Sequence, residues 1–178
     1  FGLITDLIRE HAADAPTRRA LVEGERTLTY GELDALMDRT AVALQRAGLQ
    51  VGEAIAICAS PSIEYAVVFL GALRAGVAVA PLAPSSTPES LLRMAADAQA
   101  RLFFLDAGVA AALDTATNAA GDSAGAASGA TSIPRIALDG TVAGRALYDW
   151  LAPEGTMPAR ADIHPETPFN IIYSSGTT

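Results

Sequence analysis

Between residues 54 and 105, short apolar runs alternate with helical patterns, and this alternation restricts the fold more than any other feature of the sequence. The runs read as strands and the segments between them as helices, in the order strand 54–59, helix 60–75, strand 77–80, helix 87–99 and strand 102–105. Strands joined by single helices at this spacing form parallel βαβ units with right-handed crossovers. We therefore predict an α/β fold with an open, doubly wound, mostly parallel sheet and flanking helices.

Helix boundaries are marked by capping residues. Thr29 and Glu32 have the spacing of a capping box, which opens a helix with a clear apolar stripe that ends at Gly48. The pairs Ser60-Pro61 and Thr87-Pro88 each place a hydroxyl before a proline, a pattern typical of an N-cap followed by the first helical residue. The sequence therefore predicts that Ser60 and Thr87 cap the two crossover helices.

The remaining segments complete the sheet and its surroundings. Residues 110–132 are rich in Ala, Gly, Ser and Thr without periodicity, and we expect mostly a low-complexity surface loop with a short helix at its start. In the short helix at 145–151, Leu147, Trp150 and Leu151 are predicted to face inward, and Tyr148 and Trp150 to serve as packing residues. The other predicted elements are a helix at 1–13, extended pieces at 20–22 and 27–28, and strands at 134–138 and 169–173.

Charge and composition exclude several classes of function. The net charge of −8 disfavours nonspecific binding to nucleic acid, and no apolar stretch reaches the length of a membrane span. The single cysteine, Cys58, lies in an apolar run, which favours a reducing, cytoplasmic setting with the thiol as core filling. All twelve basic residues are Arg, so chemistry that needs a lysine ammonium requires residues outside this sequence.

Several polar residues could suggest other chemistry, and their patterns argue against it. His11 and His164 have neither a nearby cysteine nor a paired-histidine spacing, so a metal site is not expected there. Ser174 and its neighbour Ser175 lack the Gly-x-Ser-x-Gly elbow of a nucleophile. Glu64 reads as a helix-face charge and Asp106 as a turn residue at a strand end, rather than as an acid–base pair.

The last ten residues, "FNIIYSSGTT", carry the clearest candidate site. A loop rich in glycine and hydroxyls directly after a parallel strand lies where open α/β sheets bind ligands. Its consecutive amides can form a concave nest for phosphate oxygens, and Gly176 allows close approach of the backbone. The Gly-x₄-Gly-Lys-Ser/Thr spacing of a Walker A loop is absent. Alone, the segment is more typical of a solvated turn than of a binding site.

Three stretches together resemble a known family. In order they are "LTYGEL" at 28–33, "LRAGVAVAPLAP" at 73–84 and "IIYSSGTT" at 171–178. They are similar to the first three core motifs of the adenylate-forming superfamily, which includes acyl-CoA synthetases, peptide-synthetase adenylation domains and firefly luciferase. The first two motifs identify the scaffold. The third is the most specific, and in the family it continues as Gly-x-Pro-Lys-Gly, beyond the end of this sequence.

The resemblance implies both a fold and a site. Residues 1–178 would form part of the N-terminal subdomain of the acyl-CoA synthetase and luciferase-like fold, with 169–178 a strand plus a truncated phosphate loop. The rest of the large domain and the C-terminal domain, with the expected catalytic lysines, would lie outside, so no catalytic residue is assigned here. The contacts to the β- and γ-phosphates of ATP would come from Ser174, Ser175, Gly176, Thr177 and Thr178, with Mg²⁺ near Thr177 or Thr178.

The implied activity is a two-step ligation. ATP activates a fatty, aromatic or other carboxylic acid as an acyl-adenylate, and coenzyme A then takes the acyl group as a thioester. Without lysine, this piece alone is predicted to be inactive. Two alternatives stay open: an amino-acid adenylation domain that serves a carrier protein, and a nonenzymatic βα nucleotide-binding or interaction module. The stretch "GVAVAPLAP" lacks the Tyr and Asp common in adenylation domains, which favours a CoA ligase.

Overall fold

The structure is a computed structural model that describes residues 2–121, 133–140 and 144–174. Its internal contacts divide the chain into two units. The helical unit comprises the residues up to Gly52 together with Pro61–Val77 and Leu151–Phe169. The sheet unit comprises Glu53–Ser60, Ala78–Trp150 and the residues from Asn170 onward.

The elements follow the alternating order that the sequence predicts. In chain order they are α1 (Ile4–Asp14), β1 (Arg19–Glu23), β2 (Arg26–Thr29), α2 (Tyr30–Arg46), β3 (Ala54–Cys58), α3 (Ile63–Arg74), β4 (Ala78–Pro81), α4 (Pro88–Asp97), β5 (Ala100–Leu105), α5 (Ala107–Gly121), β6 (Arg135–Ala137), β7 (Arg145–Ala146) and α6 (Leu147–Trp150).

Helix α2 of the helical unit confirms the predicted capping box. The Thr29 hydroxyl accepts a hydrogen bond from the Glu32 amide at 3.3 Å, and the Glu32 carboxylate accepts one from the Thr29 amide at 2.8 Å. These bonds from Thr29 lower the pKa of Glu32. After the helix, Gly48 has φ +84°, a left-handed conformation that glycine adopts without steric strain. Both ends of α2 are therefore set by local sequence.

The apolar stripes of the three helices meet in the core of the helical unit. Helix α1 contributes Ile8, α2 contributes Leu33 and Met37, and α3 contributes Ile63 and Val67. The antiparallel hairpin of β1 and β2 packs on the same cluster through partly buried leucines. Helix packing rather than propensity therefore stabilises these short elements.

The predicted cap of α3 is wrong by two residues. Ser62, not Ser60, is the N-cap, and its hydroxyl accepts a hydrogen bond from the Tyr65 amide at 3.1 Å. Pro61 therefore precedes the cap instead of opening the helix. The Ser60 amide donates instead to the Asp106 carboxylate at 2.8 Å, a partner 46 residues away that no local pattern indicates. At α4 the prediction is confirmed, because Thr87 caps the helix and Pro88 begins it.

The sheet unit has five parallel strands in the order β4-β3-β5-β6-β7. Helices α4 and α5 pack on one face, where their apolar residues contact Phe103 and its same-face neighbours. On the opposite face, the Trp150 ring of α6 meets the Phe104 ring edge-on at a centroid distance of 5.3 Å. This arrangement is the doubly wound flavodoxin-like order, and it confirms the predicted fold class.

Three local predictions differ from the structure. Residues 145–146 form strand β7, so the short helix is reduced to α6, and Tyr148 is 51% exposed although Trp150 packs as predicted. Helix α5 runs from Ala107 to Gly121, so the helix expected to be short at the start of the predicted loop is four turns long. Its many alanines explain the length, because alanine is the best helix former. The rest of that loop, 122–132, lies outside the described residues. The predicted strand at 169–173 is an isolated parallel bridge between Val79 and Asn170.

Candidate functional site

The carboxyl ends of the parallel strands carry polar residues at one edge of the sheet unit. Ser60 follows β3, Asp106 follows β5 and Asp139 follows β6. In open α/β sheets this edge is where ligands bind, at the point where the strand order reverses. Here the reversal lies between β3 and β5, because β4 is on one side of β3 and β5 is on the other.

The N-terminus of α5 at this edge is already neutralised by the protein. Asp106 accepts hydrogen bonds from the Ser60 amide at 2.8 Å and from the Val109 amide at 3.0 Å. Asp139 accepts one from the Ala107 amide at 2.8 Å. A helix N-terminus attracts anions through its free amides, but the two carboxylates already accept hydrogen bonds from two of them, those of Ala107 and Val109. Phosphate is therefore not expected to bind at the start of α5.

A crevice of about 490 Å³ opens beside these residues, and its lining includes Pro84, Ser86 and Gly108 as well as Ser60, Asp106 and Asp139. The charged side chains in this lining are the two carboxylates. Like charges repel, so the crevice suits a neutral or cationic group better than a phosphate chain. The crevice is therefore a poor place for the predicted phosphate contacts.

The segment that follows Phe169 runs beside β4. Asn170 forms a parallel bridge with Val79, and the Ile171 amide donates to the Val79 carbonyl at 2.9 Å. The segment leaves the bridge in the direction in which β4 runs. Asn170 Oδ1 is buried, and within the described ranges it has no hydrogen-bond partner. The hydroxyl-rich residues thus follow a segment that pairs in parallel with the sheet, as the sequence predicts, although the pairing is shorter than a strand.

Tyr173 attaches this segment to helix α4. Its hydroxyl lies 2.8 Å from Asp97 Oδ2 and 2.9 Å from the Met94 carbonyl oxygen, and its ring packs against the core cluster of the sheet unit. Burial, followed by the hydrogen bond and the charge of Asp97, raises the pKa of Tyr173 to about 12. The phenol therefore remains a hydrogen-bond donor at neutral pH. Sequence reasoning missed this contact, because nothing near Tyr173 in the chain points to α4.

Of the predicted phosphate-binding residues, the structure describes only the first. Ser174 is exposed and has no regular secondary structure. The others, Ser175, Gly176, Thr177 and Thr178, lie outside the described residues, as does the predicted Mg²⁺ position near Thr177 or Thr178. The assignment of these five residues therefore stays a prediction.

Other candidate groups have ordinary structural surroundings. Cys58 is buried in the sheet core, and burial together with the Asp106 charge raises its pKa to about 12, so the thiol is a poor nucleophile. The His11 ring packs against Tyr30, and Glu64 forms an ion pair with Arg26. Throughout the described ranges, no three His, Cys, Asp or Glu side chains are grouped to hold a metal ion. Nor does that part of the chain contain a helix long and apolar enough to cross a membrane.

Comparison with known families matches residues 8–178 to the AMP-binding enzyme family. The chain belongs to this family. It is 32% identical over 177 residues to a linear gramicidin synthase of Brevibacillus parabrevis, in a match that covers 98% of this chain. It is 35% identical over 168 residues to 3-hydroxybenzoate–CoA ligase of Aromatoleum sp. (strain CIB), in a match that covers 93% of this chain. The family is adenylate-forming, and the relatives of this chain include both CoA ligases and nonribosomal peptide synthetases.

A solved structure supports the fold independently. The anthranilate CoA ligase AuaEII in complex with anthranoyl-AMP superposes with a TM-score of 0.81 at 19% identity, over 97% of this chain and 31% of that protein. The chain also spans only 30% of the hydroxybenzoate ligase and 3% of the gramicidin synthase polypeptide. It thus corresponds to one part of these longer enzymes.

Proposed function

We propose that this chain supplies part of the ATP-binding domain of a ligase that activates a carboxylic acid and transfers it to coenzyme A. The observation that carries the proposal is the family match, which runs from residue 8 through the hydroxyl-rich end at 178. The similarity to 3-hydroxybenzoate–CoA ligase supports the CoA-ligase type, and the "GVAVAPLAP" stretch adds to it.

In the proposed first step, a carboxylate oxygen of the acid attacks the α-phosphorus of ATP. The bond from that phosphorus to the bridging oxygen breaks, and pyrophosphate leaves with the electron pair. In the second step, the thiolate of coenzyme A attacks the acyl carbonyl and AMP leaves. The protein's task in the first step is to position the reactants and to neutralise charge on the departing pyrophosphate.

We assign the pyrophosphate contact to residues 174–178. The two carboxylates at α5 repel phosphate, whereas the amides and hydroxyls of this segment can donate to it without adding negative charge. Hydroxyl oxygens also suit Mg²⁺, which prefers oxygen ligands, so Thr177 or Thr178 could hold an ion that the nucleotide brings. When bound, the ion would supply positive charge. We also propose a cytoplasmic location for the protein, because its single thiol is buried and forms no disulfide.

The experiment is acid-dependent exchange of radiolabelled pyrophosphate into ATP by the full-length protein, with a panel of aromatic, fatty and amino acids. We expect exchange with an aromatic or fatty acid, and thioester formation when coenzyme A is added. The isolated 178-residue chain is the matched negative control, because it has no lysine. If the full-length protein shows no exchange with any of the acids, the proposal is wrong. Exchange by the isolated chain would contradict the prediction that this chain alone is inactive.

A second candidate is an adenylation domain that loads a carrier protein. The 32% identity to linear gramicidin synthase over 98% of the chain favours it. The same assay distinguishes the two candidates at its second step. If amino acids support exchange and the acyl group passes to a carrier-protein thiol but not to coenzyme A, the adenylation domain is correct.

A further inference from the structure

The attachment of the terminal segment to α4 depends on one side chain. In that segment, Ile172 is 77% exposed and Ser174 is exposed, whereas Tyr173 turns inward and bonds to the last turns of α4. The backbone contact upstream, from Ile171 to Val79, lies three residues before Ser174. Tyr173 is therefore the attachment next to the hydroxyl-rich residues.

The contact has the chemistry of a directional anchor. A phenol has one hydrogen, and it faces two acceptors at 2.8 and 2.9 Å, the Asp97 carboxylate and the Met94 carbonyl. A hydrogen bond to an ionised acceptor is stronger than a neutral one. The raised pKa of Tyr173, about 12, keeps the hydrogen in place across the physiological range. The bond therefore restrains the backbone at residue 173 throughout the pH range of an enzyme assay.

The same contact contributes little to the folding of α4. The Met94 carbonyl already accepts the helical hydrogen bond from the Ala98 amide at 2.9 Å, and Asp97 is exposed to solvent. Neither acceptor is left buried and unpaired when the phenol hydroxyl is removed. A phenylalanine ring would keep the packing of Tyr173 against the core cluster. A change in function on this substitution can therefore be separated from unfolding.

We propose that Tyr173, held by Asp97, is a positioning residue for the triphosphate of ATP. By fixing the backbone at residue 173, it sets the position from which the proposed phosphate-binding residues begin. The inference rests on the proposed function of residues 174–178. It adds that α4, through Asp97 and Met94, holds the residue from which they begin.

The test compares Tyr173→Phe with wild type in the full-length protein, measuring the affinities for ATP and AMP by calorimetry. AMP lacks the β- and γ-phosphates, so a positioning role weakens ATP binding and leaves AMP binding unchanged. Loss of one hydrogen bond predicts about tenfold weaker ATP binding, with AMP within about twofold of wild type. The matched control is Tyr30→Phe, another single-hydroxyl deletion, whose ring packs on His11 in the helical unit.

Asp97 variants provide a second readout. Asp97→Asn keeps an acceptor for the phenol and should retain most of the ATP affinity, whereas Asp97→Ala removes it. The double variant Tyr173→Phe/Asp97→Ala should be no worse than the weaker single variant, since both changes delete the same bond. Additive losses would overturn the coupling between the two residues.

The outcomes also separate this inference from the proposed function. If wild type binds ATP no better than AMP, the phosphate contact and the inference both fail. If Tyr173→Phe binds ATP like wild type while pyrophosphate exchange proceeds, the inference fails and the proposed function stands. If exchange is absent but Tyr173→Phe selectively weakens ATP binding, positioning stands and the ligase reaction fails. Equal weakening of ATP and AMP would indicate a merely structural role and would overturn the inference.

Discussion

The two units of the chain differ in what they bury. In the helical unit, the Arg74 side chain is 7% exposed and lies 2.9 Å from Asp38, which is 6% exposed, and 2.6 Å from Asp34. Arg74 also donates to the Thr5 carbonyl at 3.1 Å, and Arg9 pairs with Asp38 from α1. In the sheet unit, the corresponding interior is uncharged: Ile55, Ile57 and Cys58 of β3 are completely buried.

The difference determines how each unit should respond to mutation. The stability of a buried ion pair depends on every partner. When one partner is removed, the remaining charge stays buried without water or an opposite charge to stabilise it. The stability of an apolar core depends on side-chain volume and backbone spacing, because it is the sum of many weak contacts. The helical unit should therefore be most sensitive to the loss of a charged partner, whereas the sheet unit should respond to ionisation of a buried group such as the Cys58 thiol.

The largest effect is expected for Arg74→Met. The substitution leaves Asp38 buried with Arg9 as its remaining basic partner, and breaking a buried ion pair costs about 3–5 kcal/mol. The measurement is amide hydrogen exchange of α1, α2 and α3 in the full-length protein, read as the free energy of local opening. The control is Arg160→Met, an exposed arginine whose loss should change stability by less than about 0.5 kcal/mol. Equal protection of both variants would remove the distinction between the units.

Two helical glycines should respond in opposite directions. A Cβ at Gly71 in α3 would lie 2.5 Å from Thr40 Cβ on α2, so Gly71→Ala forces the helices of this unit apart and costs about 1–3 kcal/mol. A Cβ at Gly108 in α5 would lie 3.5 Å from Asp106 Oδ1, an ordinary contact. Gly108→Ala should therefore stabilise α5 by up to about 1 kcal/mol through helix propensity.

Hydrogen exchange of α3 and α5 measures both glycine effects in the same experiment. Unchanged protection of α3 in Gly71→Ala would contradict the close crossing of α2 and α3, and destabilisation of α5 by Gly108→Ala would contradict the ordinary contact beside Gly108.

The smallest expected effect is the contribution of the Cys58 thiol, in the apolar core of the sheet unit, to the pH dependence of stability. It is absent at neutral pH. Burial raises the pKa of Cys58 to about 12, above its ordinary value of 9.0. The folded state therefore holds this proton more tightly than the unfolded state does. The resulting stability is fully present below pH 9 and is lost as the pH rises toward 12. Cys58→Val removes this titration, so the stability difference between wild type and variant should change only above pH 9.

A thiol-reactive dye checks the same thiol directly, because the chain has a single cysteine. We expect slow labelling of the folded 178-residue region at pH 8 and fast labelling in urea. Rapid labelling without denaturant would contradict the buried position of Cys58.

Much of the fold could be predicted because its signals are local. Thr29 and Glu32 lie three residues apart, and Thr87 adjoins Pro88, so their caps could be recognised without knowledge of any partner. The cap of α3 was misplaced for the opposite reason, since the role of Ser60 depends on Asp106. At the candidate site, the hydroxyl-rich segment was visible in the sequence, but its attachment through Tyr173 to Asp97 spans 76 residues.

The sequence by itself determined the parallel βαβ alternation, the N-caps of α2 and α4, and the family, because periodicity, capping and motif order are all properties of neighbouring residues. Only the tertiary structure decided that Asp139 accepts a hydrogen bond from the Ala107 amide of α5, that Arg74 meets Asp38, and that Tyr173 bonds to α4. Each of these contacts joins residues far apart in the chain, and their pairing depends on strand order and helix packing rather than on local pattern.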